Sequence, residues 1–380
     1  MADIYILTHE FRPFLGGAGI VCERIALTLS RMGQSVEVWA PTYSSEIARH
    51  ASLEYSVRSI SSLKGTRNLS CLIAIARTII KHRAELKNAT LYLGEPGPIA
   101  AFFYLGLFSG RWARRQVATL HGSEIERYHK SPLSRWFFKR FIRQMDALHV
   151  LSTFNENKLL RLFPDCQGRL IRGFGMHVKG EQLPEFHKET SESDKVRLLC
   201  VGRIHPRKGQ LPLLEAVKEL PSQLQENLEV YFVGQWIKDA YHQQVEALAD
   251  KLQAKVTFTG GVSDEELENH YQQADIFALT SMPYRNSVEG LGLVYLEAAR
   301  YALPILAHDI GGVTDVVKNG ENGFVCNSNN RDTLTQSLKK LILDADLRCT
   351  LGQNARQRVA ACSWESTVKS IFQIHDTHLD

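Results

Sequence analysis

Apolar positions along this chain gather in short unbroken runs separated by stretches with helical spacing. "IYILT" comes first, then amphipathic spacing over roughly 19–32, then "VEVWA". "TLYLG", "RQVATL", "ALHVLS" and "RLIRG" continue the series. Runs that are apolar throughout, rather than alternating, mark strands covered on both faces, as in the βα units of a parallel sheet. Residues 180–195, "GEQLPEFHKETSESDK", have no apolar periodicity and read as a linker. The rhythm then restarts with "VRLLCVG", "LEVYFVG", "KVTFTG", "ADIFALT", "LPILAHD" and "NGFVC" as strands. The pattern predicts an α/β chain of two doubly wound domains, 1–172 and 173–363. A closing helix from "SWESTVKSIFQIH", within 364–380, returns to pack on the first. Open parallel sheets bind ligands at the carboxyl ends of their strands. The ligand is therefore expected in a central cleft that the two domains face.

A length of 380 residues accommodates two such cores, and 44% hydrophobic with 23% charged residues is an ordinary globular balance. No apolar window reaches the roughly 18 residues of a membrane span, and "GPIAAFFYLGLFSG" reads as a buried helix. The opening "MADIYILTHEFRPF" lacks the basic and long apolar regions of a signal peptide and reads as a first strand. The expected location is cytoplasmic, extending to a peripheral position on the inner face of the cytoplasmic membrane. Seven cysteines without a C-x-x-C pair read as reduced thiols, and no His/Cys group has metal-ligand spacing. The net charge of +4 divides unevenly. Residues 1–172 carry 24 basic against 13 acidic side chains, net +11, and residues 173–380 carry 21 against 28, net −7. A basic first half suits an anionic surface or ligand.

Three loops carry candidate chemistry. In "FLGGAGI", Gly16 and Gly17 precede the first helix without the G-x-G-x-x-G spacing of a dinucleotide site, so the backbone either approaches a phosphate or sugar closely or merely turns. In "VGRIHPRKG", Arg203 and Lys208 flank a proline turn before a helix, as an anion clamp or as two solvated cations. In "SVEGLGLVYLEAARYALPILAHDIGGVTDVV", Glu289 stands in a glycine loop and Glu297 in the helix behind it. Eight residues of helix measure about 12 Å, comparable to a sugar-diphosphate-ribose unit. One carboxylate is placed to meet a hexose and the other a ribose, with the N–H groups of Gly290, Leu291, Gly292 and Leu293 toward the phosphates. The alternative is one exposed glutamate and one favoured by the helix dipole.

Taken together, "GR…KG", the two glutamates eight apart and "LPI…GG" resemble the retaining glycosyltransferases of the GT-B fold, family 4. The resemblance covers nearly the whole chain, and "MPYRNSVEGLGLVYLEA" is similar to the branch that mannosylates phosphatidylinositol mannosides. It implies two Rossmann-like domains, the first binding acceptor and the second the nucleotide-sugar donor. It gives Arg203 and Lys208 the donor diphosphate, Glu289 the hexose and Glu297 the ribose. Val262, in "GGVSDEEL", faces the base. His121, in "ATLHGSE", is placed near the transferred sugar, although a loop histidine alone carries no such meaning. The implied catalytic set is His121, Arg203, Lys208 and Glu289, with no metal and no cofactor beyond the co-substrate.

The expected activity is metal-independent, retaining transfer of a hexose to a hydroxyl of a polysaccharide precursor or glycolipid. UDP-glucose is the favoured donor and GDP-mannose the second. The alternatives are an isomerase like UDP-N-acetylglucosamine 2-epimerase and a non-catalytic, membrane-docking sugar-nucleotide-binding module. "GFGMH" at 173–177, where the family often has NG(V/I)D, and the longer "LTSMPYRNSVEG" bear on specificity rather than fold. "VGQW" at 233–236 departs by lacking a second glycine common in that loop. Residues 127–144, "RYHKSPLSRWFFKRFIRQ", mix Arg135, Lys139, Arg140 and Arg143 with Trp136, Phe137, Phe138 and Phe141. They either dock on an anionic membrane or pack their aromatics inward. No nucleic-acid motif accompanies them.

Overall fold

The computed structural model describes residues 2–12, 16–41, 53–60, 69–105, 110–178, 180–183, 195–236, 239–285 and 287–374. Most of the expected linker, the beginning of "FLGGAGI" and the end of the expected closing helix lie outside them. The chain divides into two compact units, Met1–Glu181 with Ser363–Asp380, and Gln182–Cys362. The division falls later than the boundary at 172 read from the sequence.

Unit 1 holds β1 (Ile4–Leu7), β2 (Val36–Pro41), β3 (Ser56–Ile60), β4 (Thr90–Leu93), β5 (Arg115–Leu120), β6 (Ala147–Val150) and β7 (Leu170–Arg172). They form one parallel sheet in the order β3-β2-β1-β4-β5-β6-β7. β1, β4 and β6 are buried at every position, which is why they read as solid apolar runs. β3 is different. It is a half-exposed edge strand whose Arg58 donates to Glu85 (2.9 Å) and Glu37 (3.1 Å) instead of entering the core. An edge strand held by ion pairs has no apolar run to betray it.

The unit 1 core packs Tyr5, Trp39, Ile75, Phe102, Phe138, Phe141 and Leu148. Two of these answer for the basic aromatic segment. Its helix Pro132–Gln144 buries Phe138, Phe141 and Ile142 and leaves Leu133 66% and Trp136 52% exposed. The four aromatics therefore do not share one face toward solvent. The helix Trp364–Phe372 closes the unit, with Phe372 against Tyr92 (5.7 Å between ring centroids) and the Ile371 carbonyl accepting from Arg115 (2.9 Å).

Unit 2 holds β8 (Val196–Val201), β9 (Leu228–Val233), β10 (Lys255–Gly260), β11 (Ile276–Leu279), β12 (Ile305–His308) and β13 (Gly323–Cys326). Its parallel sheet runs β10-β9-β8-β11-β12-β13. Relative to its own first strand, each sheet grows outward in one direction and then reverses. The reversal lies between β1 and β4 in unit 1 and between β8 and β11 in unit 2. At such a point the crossover helices leave on opposite faces, so the two loops part and open a crevice.

One buried relay ties three unit 1 strands together. His149 Nε2 lies 2.8 Å from the Gly173 carbonyl and so must donate. Nδ1 is then an acceptor in the neutral ring, for the Thr119 hydroxyl at 2.9 Å, and Thr119 in turn accepts from Tyr92 at 2.6 Å. Burial lowers the His149 pKa from 6.5 to about 4. Between these values the unfolded chain binds a proton that the folded chain refuses. Stability is therefore full above pH 6.5 and declines as pH falls toward 4, by about 3 kcal/mol in all. Chemical denaturation of His149→Gln across this window should show a shallower loss with acid than the unaltered chain. Parallel slopes would remove His149 as the cause.

Candidate active site

In unit 2 the crevice is built by the loops after β8 and β11. Pro206–Lys208 form a single tight turn that His205 caps, its Nδ1 accepting from the Arg207 N–H (3.1 Å). Gly209 ends the turn in a left-handed conformation (φ 73°) and starts the helix Gln210–Lys218. A side chain at Gly209 is excluded twice, since a Cβ would lie 1.7 Å from the Thr280 carbonyl oxygen. The Thr280 hydroxyl donates back to the Gly209 carbonyl at 2.6 Å. This contact locks the two loops edge to edge and aims residue 208 at the β11 loop.

There Lys208 meets Glu289. Its Nζ lies 2.9 Å from Glu289 Oε2, which also accepts from Arg207 Nη1 (3.0 Å) and the buried Ser281 hydroxyl (3.0 Å). Glu289 is 7% exposed. Burial pushes its pKa up, but Lys208, Arg207 and Ser281 outweigh that and hold the carboxyl below the ordinary range. All three donors converge on Oε2, and Oε1 has no hydrogen-bond partner among the described residues. The Gly-Gly pair after β12 belongs to the same construction. Gly311 (φ 62°) leaves no room for a Cβ, which would lie 2.0 Å from the Glu289 carbonyl oxygen, and the Gly312 N–H donates to that oxygen at 3.1 Å. Glycine is thus required on one side of Glu289 to let backbone close in and bond it.

Arg203, on the same β8 loop, is exposed, and its guanidinium has no partner among the described residues. The cation that joins Lys208 on Glu289 is Arg207, which the sequence did not single out. Nothing in the motif distinguished the two arginines, because Arg207 meets Glu289 across 82 residues of chain. Gly290 and Leu291 follow Glu289, and Gly292 caps the helix Leu293–Arg300. Glu297 is half-buried in the second turn of that helix and accepts from the Tyr271 hydroxyl (3.0 Å). Val262 stands in the loop after β10, where Trp236 from the loop after β9 packs beside Gly260 and stacks on His242 (5.4 Å). Trp236 carries no signal of its own in the sequence, where "VGQW" departs only by a missing glycine.

Unit 1 has its own crevice, after β1 and β4. Glu95 is fully buried. Its Oε1 gathers the Thr8 hydroxyl and the backbone N–H groups of His9 and Glu10, and its Oε2 lies 2.9 Å from His9 Nδ1. Burial raises the Glu95 pKa, but these partners more than reverse it. Among the described residues, His9, Glu10 and Glu95 bring metal-capable atoms within 4.8 Å of one another. Glu95 Oε1 is, however, already taken up by three protein donors, which suits a staple between loops better than a metal cage. Gly16 caps the helix Gly17–Arg31 beside the Glu10 carboxylate. His121, after β5, places Nε2 2.9 Å from the Gly94 carbonyl. In the neutral ring, a nitrogen that donates there leaves Nδ1 as an acceptor.

The lock between the loops after β8 and β11 generates a stability prediction. Gly209→Ala combines a left-handed backbone cost with an overpacked contact, together about 2–5 kcal/mol. Denaturation followed at Trp236 should show that loss, and a change under 1 kcal/mol would mean the two loops are not locked as described.

Known proteins fit this architecture along its whole length. Residues 15–171 match Glycosyltransferase Family 4, and residues 182–358 match Glycosyl transferases group 1. A GDP-mannose-dependent alpha-(1-6)-phosphatidylinositol monomannoside mannosyltransferase from Mycobacterium tuberculosis is 25% identical, covering 95% of this chain and 94% of its own. A monoacylated-substrate counterpart from Corynebacterium glutamicum is 28% identical over the same shares. Sucrose-phosphate synthase from Thermosynechococcus elongatus superposes with a TM-score of 0.75 at 19% identity, covering 98% of each chain. With both sheets in place and both halves matched, the chain belongs to the family 4 glycosyltransferases of the GT-B fold and is a hexosyltransferase.

Proposed function

We propose that this enzyme transfers a hexose from a nucleotide diphosphate sugar to a hydroxyl of a glycolipid or saccharide, with retention and without a metal. The carrying observation is the convergence of Lys208, Arg207 and Ser281 on one oxygen of Glu289, while the other has no hydrogen-bond partner among the described residues. In this reading Oε1 accepts a hydroxyl of the hexose, and Lys208 with the exposed Arg203 meets the diphosphate. N–H groups from Gly290 to Leu293 assist, Glu297 takes the ribose and Val262 the base. His121 serves the transferred sugar. The anomeric C–O bond to phosphate breaks while the acceptor oxygen bonds on the same face, and the acceptor proton passes to the departing phosphate. Lys208 and Arg203 stabilise the charge that collects there.

The relatives named as GDP-mannose-dependent favour GDP-mannose over UDP-glucose, reversing the order read from the sequence. A nucleotide-sugar panel tests both. GDP-mannose should raise the melting temperature and be slowly hydrolysed, since a ligand of the folded state stabilises it. A response to UDP-glucose alone would transfer the donor assignment, and a response to no nucleotide sugar would end the proposal. Lys208→Ala and Arg203→Ala should each cost on the order of 10²-fold in turnover. Glu289→Ala should weaken the sugar nucleotide more than free nucleotide, whereas Glu297→Ala should weaken both. EDTA should leave turnover unchanged.

The acceptor side is read from the relatives' phosphatidylinositol mannosides and from the helix Pro132–Gln144. Leu133 and Trp136 are the apolar groups it offers to a membrane. Arg140 lies over the Trp136 ring at 5.1 Å, and Arg143 and Lys139 lie beside Asp165 (2.9 and 3.7 Å). No described helix is long and apolar enough to cross a membrane. Anionic liposomes should bind the protein more than neutral ones, less so as salt rises past the roughly 10 Å screening length at 0.1 M. Leu133→Gln with Trp136→Gln should weaken this binding and spare donor hydrolysis. A protein that ignores anionic liposomes at low salt would point to a soluble acceptor or to docking through a partner protein.

A further inference from the structure

A second basic feature of unit 1 lies at the opposite end of its sheet from that unit's own crevice. A cavity of about 720 Å³ is lined by Arg83, Ala84, Lys87, Arg111, Trp112, Ala113 and Arg114. That volume falls within the range of small-molecule sites. The first three residues lie in and just after the short helix Arg83–Leu86, ahead of β4. The other four lead into the amino end of β5. The Arg114 N–H donates to the Leu86 carbonyl (3.3 Å) and joins the two segments.

The cations here are unevenly committed. Arg111 donates to Asp146 (2.9 Å) and is held in the fold. The Arg83 guanidinium lies over the Trp112 ring, 5.2 Å from its centroid. Lys87 and Arg114 are exposed, and their side chains have no partner among the described residues. The nearest acid along the chain, Glu85, is engaged by Arg58 and His82 and held down to about 2. So three cations line a concave site beside a half-buried indole, and among the described residues no free carboxylate joins them. Like charges brought together repel, and an arrangement of this kind gains from an anion that spans them.

We propose that this cavity is a second anion site, for a phosphorylated ligand of at least two charges, separate from the donor crevice. Arg83, Lys87 and Arg114 take its phosphate oxygens, and Trp112 takes an adjoining apolar part. The shared chemistry is a phosphate group, whose source is either a lipid headgroup or a free polyphosphate.

The test uses the whole chain labelled with 5-fluorotryptophan. It has five tryptophans, and the ¹⁹F resonance of Trp112 is assigned by its loss in Trp112→Phe. Inorganic pyrophosphate should shift that resonance saturably. Replacing Arg83, Lys87 and Arg114 with Gln should raise the half-saturating concentration on the order of tenfold or more, as expected for losing charge-assisted bonds. This result identifies a free phosphate ligand. In the second arm, sedimentation with phosphatidylcholine vesicles is compared with and without phosphatidic acid. If phosphatidic acid recruits the protein and the triple variant loses that recruitment, while pyrophosphate leaves Trp112 unmoved, the site takes a lipid headgroup. The helix 132–144 is unaltered in both proteins, so its contribution cancels. Lys87→Gln with Arg114→Gln repeats each arm without disturbing the Arg83–Trp112 stack. The proposal is overturned if neither probe produces a response, or if the variants respond as the unaltered chain does. Donor hydrolysis should be unchanged in all variants.

Discussion

Every strand pairing in both sheets is parallel, and a parallel pair forces the chain back across the sheet before it can pair again. All carboxyl-end loops of one sheet therefore emerge on one edge. The single reversal of strand order decides which two of those loops part. In unit 2 they are the loops carrying Lys208 and Glu289, which lie 81 residues apart in sequence and 2.9 Å apart in space. The active-site candidates depend on this constraint first, and on their own chemistry second.

The two units answer the constraint alike. In each, a buried carboxylate on the loop after the fourth strand is held by donors from the loop after the first. Glu95 takes Thr8, His9 and the Glu10 N–H, while Glu289 takes Arg207 and Lys208 together with its neighbour Ser281. The donors differ in kind. Unit 1 relies on backbone N–H groups and a hydroxyl, with the His9 imidazole beside them, and packs them beyond the reach of solvent. Unit 2 uses two full cations and leaves one carboxylate oxygen without a partner among the described residues. The first arrangement fixes a loop, and the second keeps charge and hydrogen-bonding capacity at its surface.

Much of this was legible in the sequence because buried parallel strands write themselves as solid apolar runs, and because glycine, cation and glutamate motifs sit in loops at those strands' ends. Lys208 and Glu289 could be named for that reason. Arg207, Glu95 and Trp236 could not, since each takes its meaning from a neighbour distant in sequence. Glu95 in "LGEPGP" looks like a surface turn residue until β1 is placed beside β4. The edge strand β3 left no apolar signature at all. On the helix 132–144, composition showed that aromatics and cations were mixed, but the division between inward Phe138 and outward Trp136 depends on which face the sheet covers.

The three donors on Glu289 Oε2 have a thermodynamic consequence. A glutamate side chain free in a loop must be immobilised when a ligand arrives, at a cost of about 0.5–1.5 kcal/mol in lost rotamer freedom. Here Lys208, Arg207 and Ser281 immobilise it beforehand, and hold two long cationic side chains still in the process. That ordering is charged to folding. Part of the entropic barrier to ligand binding has thus been moved into the stability of unit 2, where the sheet and its buried core can bear it.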